Sequence, residues 1–226
     1  YKEREKISFE TGKRIVDMVH EDLTPSKIMT KEAFENAIYV ASAIGASSNC
    51  PPHLTAVAKH MGIDFGIDNW EKLGHDIPLL VNCQPAGEHL MEGFFKAGGI
   101  PAIMQELLKN NKLHKKVMTV TGKTVEENLK VKIKVDEDII KSFNTPLVKN
   151  AGFIVMKSNF FSSAVMKTSV ISSEFRSRYL SDPNNPNVFE ANAVVFEGPE
   201  DYHLRINDEN LKIDENSILM IRGCGP

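Results

Sequence analysis

The chain has 226 residues, of which 42% are hydrophobic and 25% charged, with a net charge of −3. That profile fits a globular protein with one large domain or two small ones. It excludes a basic nucleic-acid surface, and no apolar run approaches the ~18 residues of a membrane span. The three cysteines, Cys50, Cys83 and Cys224, are an odd and sparse set. They speak against a disulfide framework and for a reducing, cytoplasmic compartment.

The chain opens at Tyr1 inside a helical pattern, without a secretory signal, and stops at RGCGP directly after a strand-like run. Both ends predict an internal piece of a longer protein. Ile7, Thr11, Ile15, Met18 and Val19 fall at helical spacing and predict an amphipathic first helix. Thr24-Pro25 and Thr30 are candidate caps before KEAFENAIYVASAIG. That helix is apolar on nearly all sides through Ala33, Phe34, Ala37, Ile38, Ala41 and Ile44, which predicts burial. Gly45 ends it, and Pro51-Pro52 begin another helix reaching about Met61-Gly62.

IPLLVN (77–82) is a short continuous apolar run and predicts a parallel-sheet strand buried on both faces. Helices are predicted around LMEGFFKA and PAIMQELLKN, divided by Gly98-Gly99, and MTVTGKTVEENL predicts strand, turn and helix with Thr124 as cap. Alternating helix and strand over the first 140 or so residues is the pattern of an α/β domain. After KVDEDIIKSFNTPL the texture becomes β-rich, with strands predicted in GFIVMKS, AVMKTSVIS, ANAVVFEG and SILMIRG. Short helices in SEFRSRYL and EDYHLRI interrupt them.

Candidate chemistry concentrates in Gly45-Ala46-Ser47-Ser48-Asn49, just before the double proline. Ser48 or Asn49 can cap the following helix, and a donor-rich loop at a helix start also suits a carboxylate. The two roles are compatible. Cys50 and His53 lack the further ligands of a metal site; a small buried thiol is the plainer role for Cys50, and His53 is a candidate site-lining residue. Asn82, Cys83 and Gln84 end the predicted strand, where ligands bind in parallel sheets. T-G-K-T (121–124) lacks the upstream glycine of a phosphate loop, and Asp136-Glu137-Asp138 reads as a solvated linker. Lys157, Ser158, Asn159 and Lys167 punctuate strands, and alternation places some of them in water.

Several stretches together resemble the dihydroxy-acid dehydratase / 6-phosphogluconate dehydratase family. GASSN followed by P-x-H-L resembles its G-G-S-T-N segment, and PLLVNCQPAGEHLMEGFFKAGGIPAIMQELL its strand and Gly-Gly-x-Pro-Ala helix. MTVTGKTVEENL resembles its T-V-x-G-K-T-x-x-E-N run, and GFIVMKSNFFSSAVMKTSVIS its G-x-x-x-L-x-G-N-L-x-x-x-x-x-x-K motif. The order covers essentially the whole chain. YKEREKISFETGKRIVDMV and FEGPEDYHLRINDENLKIDENSILMIRGCGP point to the sugar-acid branch. Ala46 replaces the second glycine of the first motif, Ser48 its threonine, and Ser158 the glycine before Asn159.

The resemblance implies a fold and an activity. The expected fold is the end of an α/β iron–sulfur-cluster domain over 1–144, then the start of a β-barrel-like domain over 145–226. Members eliminate water from 2,3-dihydroxy acids to give 2-keto acids, using an iron–sulfur cluster, here expected as 2Fe-2S, and Mg²⁺. The expected substrate is a small sugar acid, a pentonate such as D-xylonate; the rivals are a branched-chain dihydroxy acid and a non-catalytic scaffold role. Cluster ligands, metal ligands and the catalytic base are expected outside this segment, so none of the three cysteines is assigned to the cluster. Ser47, Ser48, Asn49, His53, Asn82, Gln84 and Asn159 are the candidate substrate-binding or site-lining residues. A homodimer or homotetramer is expected, with no nucleic acid or membrane as partner.

Overall fold

A computed structural model describes residues 2–159, 162–185 and 188–224. They fall into two compact units, residues 1–170 and 171–226.

The first unit opens with α1 (Lys2–His20), which carries Glu3 and Glu5 in its first turn and His20 in its last. This charge order suits the helix dipole. The Arg14 guanidinium donates to both Glu21 carboxylate oxygens at 2.7 Å and to the Val120 carbonyl at 2.7 Å. The expected helix is present, but its apolar stripe is not covered: Ile7, Ile15 and Val19 are 59%, 56% and 75% exposed. A short helix, α2 (Pro25–Ile28), leads to α3 (Lys31–Ala43), where the Thr30 hydroxyl accepts from the Ala33 amide at 3.4 Å. Phe34, Ile38 and Ala41 are buried as expected, whereas Ala33, Ala37 and Ile44 keep partial exposure. Buried Asn36 instead makes two bonds to the His114 backbone, at 2.8 and 3.1 Å, so that α3 also ties down a distant loop.

Two helices follow, α4 (Cys50–His60) and α5 (Asp68–Gly74). After them the 77–82 run is buried as predicted, with Ile77, Leu79, Leu80 and Val81 at 0–1% exposure. Its pairing corrects the parallel-sheet expectation. Leu79 bridges Val148 and Val81 bridges Ile140, both antiparallel and isolated. On the other side the Leu80 amide donates to the Ala43 carbonyl at 2.8 Å. A continuous apolar run reports burial on both faces, and an extended segment wedged between α3 and the 139–148 return satisfies that as well as a sheet does.

α6 (Met91–Lys96) and α7 (Gly99–Lys109) are separated by Gly98, at φ +120°, a conformation that needs glycine. Phe94, Ile103 and Leu107 pack with Ile77, Leu80 and Val81 as one core cluster. Thr124 caps α8 (Val125–Asn128) in a reciprocal capping box with Glu127. The following linker is not wholly solvated: Asp136–Asp138 are exposed, but Ile139 and Ile140 join the core.

β1 (Phe153–Met156) pairs antiparallel with β2 (Ala164–Lys167), Phe153 opposite Lys167. The fully buried Phe153 meets Trp70 edge-on, ring centres 5.0 Å apart, at the heart of a second cluster with Phe34, Ile38 and Phe65.

In the second unit, Ser172 caps α9 (Ser173–Tyr179) by accepting from the Phe175 amide at 3.1 Å. β3 (Asn192–Phe196) and β4 (Ser217–Ile221) are parallel neighbours, joined by a crossover that contains α10 (Pro199–Arg205). Such pairs need a helical crossover, and the buried Phe196 ring packs on Tyr202 of α10 at 5.3 Å. All four strands predicted after residue 150 form, and mixed helix and sheet agrees with an α/β class.

Candidate functional site

The end of α3 shapes the loop that the sequence singles out. The Ala46 amide reaches back to the Ala41 carbonyl at 2.9 Å and the Gly45 amide to Ser42 at 3.2 Å, with Gly45 left-handed at φ +62°. This closes the helix as a glycine C-cap. A side chain at Gly45 would also press on Leu79 Cδ1, 3.0 Å from the Cβ position. Ala46 and Ser158, which stand where the resembled motifs have glycine, do not occupy positive-φ positions, so their backbones need no glycine.

Beyond Gly45 the backbone donors of the α4 start are already engaged. The Cys50 amide is used by the Ser47 carbonyl at 3.0 Å and the His53 amide by the Asn49 carbonyl at 3.3 Å. Pro51 and Pro52 have no N–H to offer. The first turn of α4 thus presents no free backbone donor. Nor do Ser48 and Asn49 cap it: the Asn49 side chain makes no capping bond, and the Ser47 hydroxyl instead accepts from the Asn49 amide at 3.2 Å.

What the loop does form is one wall of a cleft of about 460 Å³, shared with Gln84, Cys83, Met91 and Lys167. Ser47 and Ser48 line it, and no hydrogen bond holds the Ser48 hydroxyl among the described residues. Gln84, exposed beside a cis peptide to Pro85, completes the predicted residues found there. Asn49 and His53 are exposed and lie off this lining. The Asn82 side chain accepts from the Glu88 amide at 2.8 Å and holds the 82–89 turn. Asn159 is exposed in the β1–β2 connection, away from the cleft lining. Of the seven candidates the structure therefore brings together Ser47, Ser48 and Gln84.

The residue that sequence reading passed over is Lys167. Alternation leaves strand lysines in water, yet Lys167 Nζ turns inward and donates to the Gly45 carbonyl at 3.1 Å and the Ala46 carbonyl at 3.3 Å. Burial holds its pKa below that of an ordinary lysine, an effect the neighbouring Cys50 partly opposes. The available signal was its place as the closing lysine of the G-x-x-x-L-x-G-N-L-x-x-x-x-x-x-K motif.

Among the described residues no side-chain group fits a metal or cluster site. Cys50 is half-buried and burial pushes its thiol pKa up, with Lys167 opposing; Cys83 is buried with Sγ 3.6 Å from Met91 Sδ; Cys224 is exposed in the second unit. Among the described residues no group of three His, Cys, Asp or Glu side chains is placed to hold a metal ion. No helix among them is long and apolar enough to cross a membrane. A roomier groove of about 660 Å³ runs along α1, floored by Ile7, Ile15, Phe95 and Val120. It contains none of the predicted residues.

Comparison with known proteins places these features in a family. The dihydroxy-acid/6-phosphogluconate dehydratase N-terminal model matches residues 1–128, and the corresponding C-terminal model matches residues 138–226. D-xylonate dehydratase of Caulobacter vibrioides is 51% identical over the whole chain, which spans 38% of that protein's length. L-arabinonate dehydratase of Rhizobium leguminosarum bv. trifolii is 43% identical over 96% of the chain and 36% of its own length. Dihydroxy-acid dehydratase of Acetivibrio thermocellus is 35% identical over the whole chain and 39% of its own length. With both family models matched in order and most of the sequence covered, the chain belongs to the dihydroxy-acid/6-phosphogluconate dehydratase family.

Proposed function

We propose that this chain is part of a hydro-lyase that dehydrates a pentonate, D-xylonate or a close stereoisomer, to a 2-keto-3-deoxy acid. The observation that carries the reading is the 51% identity with D-xylonate dehydratase over all 226 residues, against 35% for a dihydroxy-acid dehydratase. Sequences 51% and 43% identical both bear names of pentonate dehydratases, so the sugar-acid branch is favoured over the branched-chain one. The cleft supports the reading, since two serine hydroxyls and the Gln84 amide offer polar partners to a polyol.

Because the chain spans 38% of its xylonate-dehydrating relative, the activity is ascribed to a polypeptide of that relative's length. The 2Fe-2S cluster and Mg²⁺ such an enzyme would use are assigned to ligands outside these residues. A cytoplasmic homodimer or homotetramer is part of the same proposal. So is a domain boundary near 144/145, with an iron–sulfur domain before it and a barrel-like domain after it; the gap between the two family-model matches, 128 to 138, lies close by.

The test is a panel of D-xylonate, L-arabinonate and 2,3-dihydroxyisovalerate, offered to the full-length enzyme under anaerobic conditions with 2-keto acid formation as readout. Pentonate turnover well above that of dihydroxyisovalerate is expected. The reverse order refutes the branch assignment, and no keto acid from any of the three refutes the reading as a whole.

A further inference from the structure

We infer that Lys167 is a positioning residue, a strut that sets the Ser47-Ser48 loop against the cleft from across the boundary between the two family-model regions. The inference rests on the sugar-acid reading above and adds to it the residue that holds the hydroxyl-bearing wall in place. Gly45 and Ala46 connect the end of α3 to Ser47. Their carbonyls lie just past the helix end, where no intrahelical donor reaches them and a cation is favoured. Among the described residues the one donor to either carbonyl is Lys167 Nζ, at 3.1 and 3.3 Å. Two of the three donors of the ammonium are thereby committed to backbone, so its work is on the loop.

The base of the strut is held firmly. Lys167 ends β2 opposite Phe153, whose buried ring meets Trp70 edge-on. The next residue, Thr168, donates to the Gly152 carbonyl through its amide at 3.0 Å and through its hydroxyl at 3.1 Å. The cleft is divided at this contact. Lys167 comes from the C-terminal match, residues 138–226, whereas every other lining residue lies within the N-terminal match, residues 1–128. Without the ammonium the Gly45 and Ala46 carbonyls lose their donor, and the serines are no longer held where a polyol would meet them.

The test uses the full-length enzyme, assayed for 2-keto acid formation with the better of D-xylonate and L-arabinonate. Wild type, K167M, S47A/S48A and the triple variant form a cycle. Methionine keeps most of the arm's length and removes its donors. K167M is expected to lower kcat/KM about 10- to 100-fold, the scale of effect produced by displacing a positioned group by ~1 Å. Because the lysine acts through the serines, K167M should cost no more than ~3-fold once both serines are alanine, since coupled residues do not add. K167R, which keeps a cation with donors, should restore part of the loss.

Three results overturn the strut and leave the sugar-acid reading standing. These are K167M equal to wild type, S47A/S48A equal to wild type, and a K167M loss that multiplies in full with that of the serines. The last is what a clamp needed only for stability, or a group acting independently of the loop, would give. A wild-type enzyme that forms no keto acid from either pentonate overturns the reading and the strut with it. Melting temperature checks the fold of each variant. Should K167M not fold, K167Q carries the same cycle, its amide keeping two donors on a shorter arm, with a smaller loss and the same non-additivity expected.

Discussion

Gly152→Ala tests the tightest joint in the first unit. A Cβ at Gly152 would stand 1.9 Å from the Gly74 carbonyl oxygen and 3.1 Å from Ser42 Oγ, where the end of α5, the last turn of α3 and the start of β1 converge. Ordinary contact begins near 3.4 Å, so the two backbones must part by about 1.5 Å. Neither is free to do so. The Gly74 carbonyl accepts from the Ile77 amide at 3.0 Å, and the Gly152 carbonyl accepts from the Thr168 amide at 3.0 Å and its hydroxyl at 3.1 Å. Overpacking costs about 1–3 kcal/mol where side chains yield; here backbone must yield, so ~3 kcal/mol or more is expected, a large share of a domain's ~5–15 kcal/mol.

The chain's single tryptophan, Trp70, is buried against Phe153 next to the joint and reports the transition. With an m-value of about 2 kcal/mol/M, urea unfolding followed by its fluorescence should show the midpoint falling by ~1.5 M or more. Two controls bracket the result. Gly62→Ala meets no atom within 4 Å but sits at φ +68°, and should cost only the ~1–2 kcal/mol of left-handed strain. Gly12→Ala, in mid-α1 with open space around it, should be neutral or stabilising by roughly 0.5–1 kcal/mol. A Gly152→Ala midpoint within ~0.3 M of wild type would refute the close approach, since that shift corresponds to well under 1 kcal/mol.

Thr124→Ala removes the capping box of α8 and should cost about 1 kcal/mol, seen as faster hydrogen exchange at the Glu127 and Asn128 amides; unchanged exchange would contradict the capping role. The Arg14 guanidinium holds the Glu21 carboxyl below its ordinary pKa, and a depressed carboxylate stabilises the fold above its unfolded pKa and loses that contribution as pH falls through the folded one. Protection of the 119–123 turn, which Arg14 also reaches through Val120, should therefore hold at neutral pH and fall below the ordinary glutamate range of about 4.3. Glu21→Gln should abolish that dependence, and a titration that persists in the variant would exclude Glu21 as its source. Burial raises the Cys50 pKa while Lys167 lowers it, so iodoacetamide at pH 8 should label exposed Cys224 before Cys50, and K167M should slow Cys50 further. Mass spectrometry of the labelled peptides checks both orders, and Cys50 reacting first would be the contrary result.

The sequence by itself determined the local elements, because their signals are local. Thr30 and Thr124 before helical runs, Gly45 and Gly98 at helix ends, and Val/Ile-rich runs after residue 150 each place an element through its own backbone chemistry. It also determined the family, since motifs in a fixed order along the chain need no structure to be compared. Only the tertiary structure decided which partner each element met. The 77–82 run announced burial but not that its partners are the antiparallel 139–148 return and Ala43, because an apolar run records only that both faces are covered. The site divides in the same way. Ser47 and Ser48 were legible from their loop, whereas the Asn82 side chain is spent on the Glu88 amide and Asn49 and His53 stay off the cleft lining, placements that residue type alone does not announce. Lys167 lies 122 residues from Gly45, and no spacing rule reaches across that gap. β1–β2 pairing and the burial of Phe153 against Trp70 bring the lysine back to the serine loop, where it donates to the Gly45 and Ala46 carbonyls.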